Sequence, residues 1–371
     1  MESISEITAI RKLIANRLDE LAIGDKSITG IIGDAPSHYS RSPTLWNAVF
    51  DRLCMDAIYL ALDVDDAQVG ALLDALRRYD RFMGVNVTVP YKVRVIEFLD
   101  ALDTDATRIG AVNTVVKHGD GKLVGYNTDG AGFIDSLRLA APGERQPFID
   151  TLDGMDVLLL GAGGSARAVA FHLSDHIGKG QLIIANRTRA HADDLAAEIC
   201  RLGRQALATD ESAIPFWAPR VGLVVNSTTK GQGGVRKLSG GRMTMLTPYS
   251  ALAPADPPVL ADAAEAAANF ETQWHERAQA DIAANNQAAL ALAQSIPQAT
   301  RFYDLIYHPP ETVFLRQGQS TGHRTMNGRS MIVRQAVLAF CERICLTRLS
   351  EMGKNNKQTF QEVTEVMFGA W

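Results

Sequence analysis

Residues 156–168 read Asp-Val-Leu-Leu-Leu-Gly-Ala-Gly-Gly-Ser-Ala-Arg-Ala, an apolar run that leads into a glycine-rich turn and a helix-favouring segment. The order strand, turn, helix is typical of a dinucleotide-binding βαβ unit, and a second apolar run follows at residues 181–185. The glycines permit a tight turn and let the backbone approach a pyrophosphate at the helix N-terminus. The residues predicted to lie along the dinucleotide are Gly161, Ala162, Gly163, Gly164, Ser165 and Ala166 in this turn, with Ser227 and Thr228 at the end of a later strand.

The end of the second strand predicts which dinucleotide is bound. NAD-binding proteins usually carry an acidic residue there, whereas a nearby arginine accommodates a 2′-phosphate. Here Asn186, Arg187 and Thr188 follow the strand, and the first acidic residue is Asp193. The planar guanidinium of Arg187 suits a phosphate, so the sequence favours NADP, with NAD as the alternative. The other interpretation of Arg187 is a solvated side chain at a helix start.

A second strand signal lies earlier in the chain, where residues 84–92 read Gly-Val-Asn-Val-Thr-Val-Pro-Tyr-Lys. Valines alternate with polar residues, and Pro90 cannot donate to a sheet, so the strand is expected to end there. Lys92 would then follow a strand end, where α/β proteins place their chemistry. The stretches 113–114 and 127–129 repeat this pattern of amides and hydroxyls. We expect the three strand ends to converge on one hydroxylated ligand; the alternative is an ordinary strand and a solvated lysine.

Composition excludes several classes of protein. The chain has 371 residues, 46% hydrophobic and 21% charged, which fits a soluble globular protein of about two domains. Its net charge of −5 argues against nucleic-acid binding, and no apolar run approaches the roughly 18 residues that a membrane helix needs. Four cysteines and eight histidines show no metal-ligand spacing, and the N-terminus does not read as a signal peptide. We therefore expect no metal site and a cytoplasmic location.

The coarse organisation is α/β, because strands alternate with helices. Apolar spacing predicts an amphipathic helix over residues 1–26 and a largely parallel sheet in the first half. Ser40 and Ser42 precede a helix start at Pro43, where hydroxyls can hold a carboxylate or simply cap the helix. The stretch 231–258 is rich in glycine and proline and is predicted to be a long mobile loop.

Taken together, eight motifs resemble those of the shikimate/quinate dehydrogenase family, in the family's order and over most of the chain. They are Ser40-Arg-Ser42-Pro43 with Asn47, residues 86–92, 109–114 and 127–133, Gly161–Gly164, Asn186–Thr188, Asp304–Tyr307 and Met331–Gln335. The chain departs from the family pattern at Tyr39 and Trp46, where histidines are usual, at Gln232, and in a longer segment between Asn226 and Asp304.

The resemblance implies an NADP-dependent dehydrogenase that interconverts shikimate and 3-dehydroshikimate, as in aromatic amino acid biosynthesis, with Lys92 and Asp129 as the catalytic pair. The alternatives are a dehydrogenase of quinate or a related hydroxylated cyclic acid, and a non-catalytic ligand sensor. By the same resemblance Ser40 and Ser42 would hold the substrate carboxylate. The residues implied to bind the substrate hydroxyls are Asn86, Thr88, Asn113, Asp129 and Gln335, with Tyr307 bordering the same cleft.

The order of the motifs predicts two domains. Residues 1–128 with 328–371 would form an α/β substrate-binding domain, and residues 129–327 a Rossmann-like domain that binds NADP. The active site would lie in the cleft between them. The partner is a shikimate-like small molecule, with no nucleic acid and no membrane, and the chain would be a monomer or a homodimer.

Overall fold

A computed structural model describes residues 2–238, 241–261 and 269–371, and it divides the chain into two compact units. The first unit comprises the chain up to Pro147 together with Ser330–Trp371, and the second comprises Phe148–Arg329. Each unit alternates strands with helices, which confirms the predicted α/β class. Within the described ranges, no helix combines the length and apolarity that crossing a membrane requires.

The first unit is built on a six-stranded sheet of order β2-β1-β3-β5-β6-β4. Its strands are β1 (Ser27–Gly33), β2 (Ala57–Asp63), β3 (Phe82–Val87), β4 (Ala101–Leu102), β5 (Thr114–Lys117) and β6 (Leu123–Tyr126). Its helices before Pro147 are α1 (Glu2–Arg11), α2 (Glu20–Ile23), α3 (Pro36–Tyr39), α4 (Ser42–Leu53), α5 (Val69–Arg78), α6 (Thr104–Ile109) and α7 (Asp129–Arg138). Strands β1, β2 and β3 are parallel, β4 is parallel to β6, and β5 pairs antiparallel with both β3 and β6. Five of the six strands therefore run in the same direction, which confirms the predicted largely parallel sheet.

The second unit contains a six-stranded parallel sheet of order β15-β14-β10-β7-β8-β9 and a small antiparallel sheet. Its strands are β7 (Val157–Leu160), β8 (Leu182–Ala185), β9 (Ala206–Thr209), β10 (Leu223–Asn226), β11 (Val235–Leu238), β12 (Arg242–Met245), β13 (Leu260–Ala261), β14 (Arg301–Asp304) and β15 (Thr325–Met326). Its helices are α8 (Gly164–His176), α9 (Arg189–Arg201), α10 (Ile214–Trp217), α11 (Phe270–Ser295) and α12 (Val313–Ser320). The strand order reverses between β7 and β10, and ligands of doubly wound sheets bind at such a switch point.

The chain then returns to the first unit in three further helices. They are α13 (Arg329–Leu338), which continues as a π-helical segment (Ala339–Ile344), α14 (Leu346–Glu351) and α15 (Lys357–Gly369). Their apolar faces close one side of the first core, where Trp46 and Phe50 of α4 pack against Phe340. The opposite side is a second cluster that includes Ile10 and Val85.

The structure places the boundary between the units after Pro147, not after residue 128 as the motif order predicts, and the return at Ser330, not at residue 328. Helix α7 belongs to the first unit because it packs against α13. A Cβ on Gly132 would lie only 2.6 Å from the backbone nitrogen of Gln335, so glycine allows this close approach.

Two sequence predictions about the periphery are wrong. The predicted mobile loop 231–258 instead contains β11 and β12, because Met243, Met245 and Trp274 supply a small core beneath them. The predicted helix over residues 1–26 is broken into α1 and α2, since Asn16 hydrogen-bonds to β2 between them and Asp19 caps a new start.

Candidate active site

The centre of the candidate site is an ion pair between Lys92 and Asp129. Strand β3 ends at Val87, a turn follows, and Lys92 Nζ lies 2.7 Å from Asp129 Oδ2. The Asp129 side chain is 7% exposed and that of Lys92 is 20% exposed, so solvent reaches the cation but hardly the anion. Asp129 is the first residue of α7, where the helix dipole favours a carboxylate.

Asn113 connects this ion pair to two other elements. Its Nδ2 amide lies 2.8 Å from Asp129 Oδ1, 2.9 Å from Thr128 Oγ1 and 3.2 Å from Gln335 Oε1. Its Oδ1 accepts the backbone N–H of Thr128 at 2.9 Å. The start of β5, the start of α7 and the middle of α13 therefore meet at one amide, and the structure brings Lys92, Asn113, Asp129 and Gln335 together.

Asn86 belongs to the same network and connects it to Tyr59, a residue that the sequence analysis missed. Its Nδ2 amide donates to Thr114 Oγ1 at 3.0 Å and to the Asn113 carbonyl at 3.2 Å, and its Oδ1 accepts from Tyr59 Oη at 2.8 Å. Burial raises the pKa of Tyr59 well above its ordinary value, while a hydrogen bond with Ser42 lowers it less, so the phenol stays a donor. Tyr59 lies in the middle of β2. The one sequence feature that could have indicated its role as a donor to Asn86 is a phenol hydroxyl within a buried strand.

The predicted carboxylate site lies at the start of α4. Ser42 begins the helix, and Ser40 Oγ accepts the Ser42 N–H at 3.2 Å, a contact that also serves the capping interpretation. Thr88 approaches this loop, because a Cβ on Gly33 would lie 2.5 Å from Thr88 Cγ2 and 3.0 Å from Tyr39 Oη. Glycine at the end of β1 therefore lets Thr88 and the residue before Ser40 come close.

In the second unit, the turn after β7 has the form that a dinucleotide needs. Gly161 has φ +107°, and a Cβ there would lie 2.7 Å from Ser227 Oγ. No described atom lies within 4 Å of a Cβ built on Gly163 or Gly164, and α8 starts without a side-chain cap. The unsatisfied N–H groups at this helix start are ready to bind an anion. Ala162, Ser165 and Ala166 complete the predicted turn, and Ala166 is buried in the helix.

The hydroxyls predicted at the end of β10 are already engaged within the protein. Ser227 Oγ donates to the Leu160 carbonyl at 2.6 Å, and Thr228 Oγ1 donates to Asn226 Oδ1 at 2.7 Å. Ser227 therefore ties the ends of β7 and β10 together at the switch point.

The residues predicted to distinguish NADP from NAD lie between β8 and α9. Arg187 is exposed, and Asn186 Nδ2 donates to the Thr188 carbonyl at 2.8 Å, which closes the turn around it. Arg189 instead pairs with Asp193 at 3.5 Å within α9. The first acidic residue after β8 thus lies beside Arg189, and the contact of Arg187 with a 2′-phosphate stays a prediction.

Tyr307 lies in the second unit, just after a buried carboxylate at the end of β14. Asp304 accepts hydrogen bonds from Thr312 Oγ1 at 2.6 Å, Asn226 Nδ2 at 3.0 Å and the Ile306 N–H at 3.0 Å. Burial raises the pKa of Asp304 to about 7, although these three donors oppose the shift. The side chain fixes the ends of β10 and β14, a role that sequence spacing did not reveal.

Comparison with known proteins agrees with this architecture. The sequence model described as the shikimate dehydrogenase substrate binding domain matches residues 31–115, and that of shikimate/quinate 5-dehydrogenase matches residues 145–232. The shikimate dehydrogenase (NADP(+)) of Carboxydothermus hydrogenoformans is 34% identical over 317 residues, covering 85% of this chain and 91% of the relative.

Solved structures give the same result. Shikimate 5-dehydrogenase of Thermus thermophilus, in complex with NADP(H) and shikimate, has a TM-score of 0.61 at 26% identity, covering 93% of this chain and 99% of that one. Quinate dehydrogenase of Corynebacterium glutamicum, in complex with NAD, has a TM-score of 0.65 at 25% identity with the same coverage. Because both family models match and a curated relative is 34% identical over 85% of this chain, the chain belongs to the shikimate/quinate dehydrogenase family.

Proposed function

We propose that this chain is an NADP-dependent oxidoreductase acting on CH–OH that interconverts shikimate and 3-dehydroshikimate, as in aromatic amino acid biosynthesis. The observation that carries the proposal is the Lys92–Asp129 ion pair of 2.7 Å inside a network of amides and hydroxyls. A site of this kind can bind a polyhydroxylated ring and move one proton. The relatives named shikimate dehydrogenase (NADP(+)) support the same substrate and cofactor.

In this proposal the polar side chains of the first unit bind the substrate. Ser40 and Ser42 take its carboxylate, since their hydroxyls lie at the start of α4. Tyr307 stays a substrate-binding candidate that the family resemblance implies. The residues proposed to bind the ring hydroxyls are Asn86, Thr88, Asn113, Asp129 and Gln335.

The proton and the hydride take separate routes. When bound, NADPH supplies the hydride that adds to the ketone carbon. The Lys92 ammonium donates a proton to the ketone oxygen, giving the alcohol, and solvent returns a proton to the amine through its exposed side. Asp129 directs Lys92, because Asn113 fixes one carboxylate oxygen and the other accepts from Nζ. Oxidation of shikimate reverses each step.

The residues of the second unit fit NADP. The open glycines at the start of α8 would receive the pyrophosphate, and Arg187 would pair with the 2′-phosphate through its guanidinium. Asn186 and Thr188 shape that turn, and Thr188 precedes the first residue of α9.

The test is an initial-rate assay at the NADPH absorbance band, with NADP or NAD and a panel of shikimate, quinate and related acids. We expect turnover of shikimate with NADP. Preferred turnover of quinate with NAD would instead assign the alternative activity. The observation behind that alternative is the similarity to the quinate dehydrogenase structure. Binding of panel members without turnover would indicate a ligand sensor, against which the retained Lys92–Asp129 pair argues.

We also propose a cytoplasmic location and a monomeric or homodimeric state. The four cysteines are free thiols, two of them exposed, which suits a reducing compartment. Fractionation of the expressing cells and light scattering of the purified protein measure the two properties.

A further inference from the structure

The N-terminal segment precedes the residues that the family model matches, yet it is part of the first core. Ile7, Ile10 and Ile23 are buried there. Between α1 and α2 the chain lies beside the end of β2. Asn16 Nδ2 donates to the Ala61 carbonyl at 2.9 Å, and Asn16 Oδ1 accepts the Asp63 N–H at 2.8 Å. Asn16 therefore holds the backbone on both sides of residue 62.

Asp63, the last residue of β2, carries this restraint to another loop. Its side chain is buried, and its carboxylate accepts from the Ser37 N–H at 2.8 Å and from Ser37 Oγ at 2.5 Å. Its carbonyl accepts the Ala15 N–H at 2.8 Å, a third contact with the N-terminal segment. One residue thus joins the N-terminal segment, strand β2 and the start of α3.

Helix α3 is a single turn that ends in the predicted carboxylate site. Ser37 lies in it, the Ser40 N–H bonds to the Pro36 carbonyl at 2.9 Å, and Ser40 Oγ accepts the Ser42 N–H at 3.2 Å. A four-residue turn cannot hold its own shape, because helix nucleation is unfavourable. The position of the Ser40 hydroxyl therefore depends on the hydrogen bonds between Asp63 and Ser37, whereas Ser42 is held in α4 and by its hydrogen bond with Tyr59.

We propose that Asp63 and Asn16 are positioning residues for the serine loop 36–42, so that the N-terminal segment acts as a brace for substrate recognition. The inference rests on the proposed function, in which Ser40 and Ser42 bind the substrate carboxylate. Two hydroxyls bind an anion well only when they are held in place before it arrives. The brace therefore acts on substrate binding and leaves the proton-transfer pair and the NADP site unchanged.

The kinetic test compares Asp63→Ala, Asp63→Asn and Asn16→Ala with the parent enzyme. Loss of hydrogen bonds to a buried carboxylate should raise the KM for shikimate about tenfold in Asp63→Ala, with kcat and the KM for NADP within about twofold. Asparagine keeps one acceptor for the Ser37 N–H and can donate to Ser37 Oγ, so Asp63→Asn should recover most of the loss. Asn16→Ala should raise the same KM by a smaller factor.

The control is Asp25→Asn, which alters a different anchor of the N-terminal segment. Asp25 pairs with Arg81 at 3.2 Å through a fully exposed side chain that does not contact Asp63. We expect parental kinetics from it. A fall in kcat equal to the rise in KM in Asp63→Ala, or the same KM change in Asp25→Asn, would overturn the brace.

Hydrogen–deuterium exchange tests the brace without relying on activity. Peptides covering residues 34–42 should exchange faster in Asp63→Ala, where the Ser37 N–H loses its acceptor, and in Asn16→Ala, where Asp63 loses one of its anchors. Unchanged exchange in both variants refutes the proposal even if the parent turns over shikimate. Faster exchange in variants of a parent that oxidises no panel member would support the brace and refute the proposed function.

Discussion

At the scale of single residues, the proposed chemistry depends on Lys92. Lys92→Ala should lower kcat by about 10²- to 10⁴-fold, the usual contribution of a positioned proton donor, with a smaller change in the KM for shikimate. Initial rates in both directions measure it. Lys117→Ala is the matched control, since Lys117 Nζ donates to the Tyr79 carbonyl and has no role in the proposal. Turnover of Lys92→Ala within a few-fold of the parent would contradict the mechanism.

Arg187 offers a test of cofactor choice. Arg187→Ala should raise the KM for NADP by about ten- to a hundredfold, the loss of one charge-assisted phosphate contact, and leave the KM for NAD unchanged. Initial rates with each cofactor give the ratio. Arg189→Ala is the control, because Arg189 pairs with Asp193 in α9. If Arg187→Ala and Arg189→Ala changed the KM for NADP equally, Arg187 would not be the specific partner of the 2′-phosphate.

Sequence reasoning could find some of these residues and not others. Lys92 and Asp129 follow the ends of β3 and β6, as predicted, and Asn113 precedes β5. Because β5 runs antiparallel to both strands, its start lies at the same edge of the sheet as their ends. Sequence reasoning did not identify Tyr59 and Asp63. Tyr59 lies inside a buried strand and Asp63 acts through Ser37, so neither has a local pattern that identifies its partner.

At the scale of elements, the contact between α7 and α13 holds the site together. A Cβ on Gly132 would meet the Gln335 nitrogen at 2.6 Å and its Cβ at 2.7 Å, atoms that cannot move aside without shifting a helix. Gly132→Ala should therefore destabilise the protein by about 1–3 kcal/mol, as overpacking does. Urea denaturation measures the change in the free energy of unfolding.

The same substitution should reduce activity, because Gln335 would move away from Asn113 and Thr128. Gly119→Ala is the control, since no described atom lies within 4 Å of a Cβ at Gly119. If Gly132→Ala were as stable as Gly119→Ala, α7 and α13 could move apart at little cost in free energy, and the prediction would be wrong.

The small sheet β11-β12-β13 shows where composition misleads. Glycine and proline between residues 231 and 258 predict a loop, but the strands pack on a core that combines their own Met243 and Met245 with residues of α11. Trp274 in α11 packs beneath them, and its Nε1 donates to the Pro258 carbonyl at 2.8 Å. A contact of this range has no signature in a window of local sequence, whereas the strand–turn–helix at residues 156–168 does.

At the scale of the whole molecule, the buried Asp304 makes stability depend on pH. Folding raises its pKa from 3.8 to about 7, so the folded state holds a proton that the unfolded state has released. Stability is therefore highest below about pH 4 for this group and falls as pH rises towards 7, by up to about 1.4 kcal/mol per pH unit.

Asp304→Asn mimics the protonated carboxyl and removes this dependence. Urea denaturation of both proteins from about pH 4.5 to about pH 7.5, which spans the interval between the two pKa values, should show that Asp304→Asn becomes progressively more stable than the parent as pH rises. The comparison cancels the titration of all other groups. A constant difference across that range would mean that Asp304 does not titrate there.

The division of the chain into two units was predictable in outline only. The glycine-rich turn at residue 161 locates the second unit, and the first unit reappears in the motif at residues 331–335. The boundary itself depends on the packing of α7 against α13, which a single sequence does not reveal.

The return of the chain at Ser330 also sets the order in which the protein can be made. Trp46 and Phe50 are covered by Phe340 and α15, which leave the ribosome only after the second unit is complete. During synthesis the second unit is the first to have all of its residues, while the first unit has its six strands but lacks the helices that cover one apolar face. That nascent face is a surface for chaperones to recognise, and a chain that stopped before Ser330 would keep it exposed.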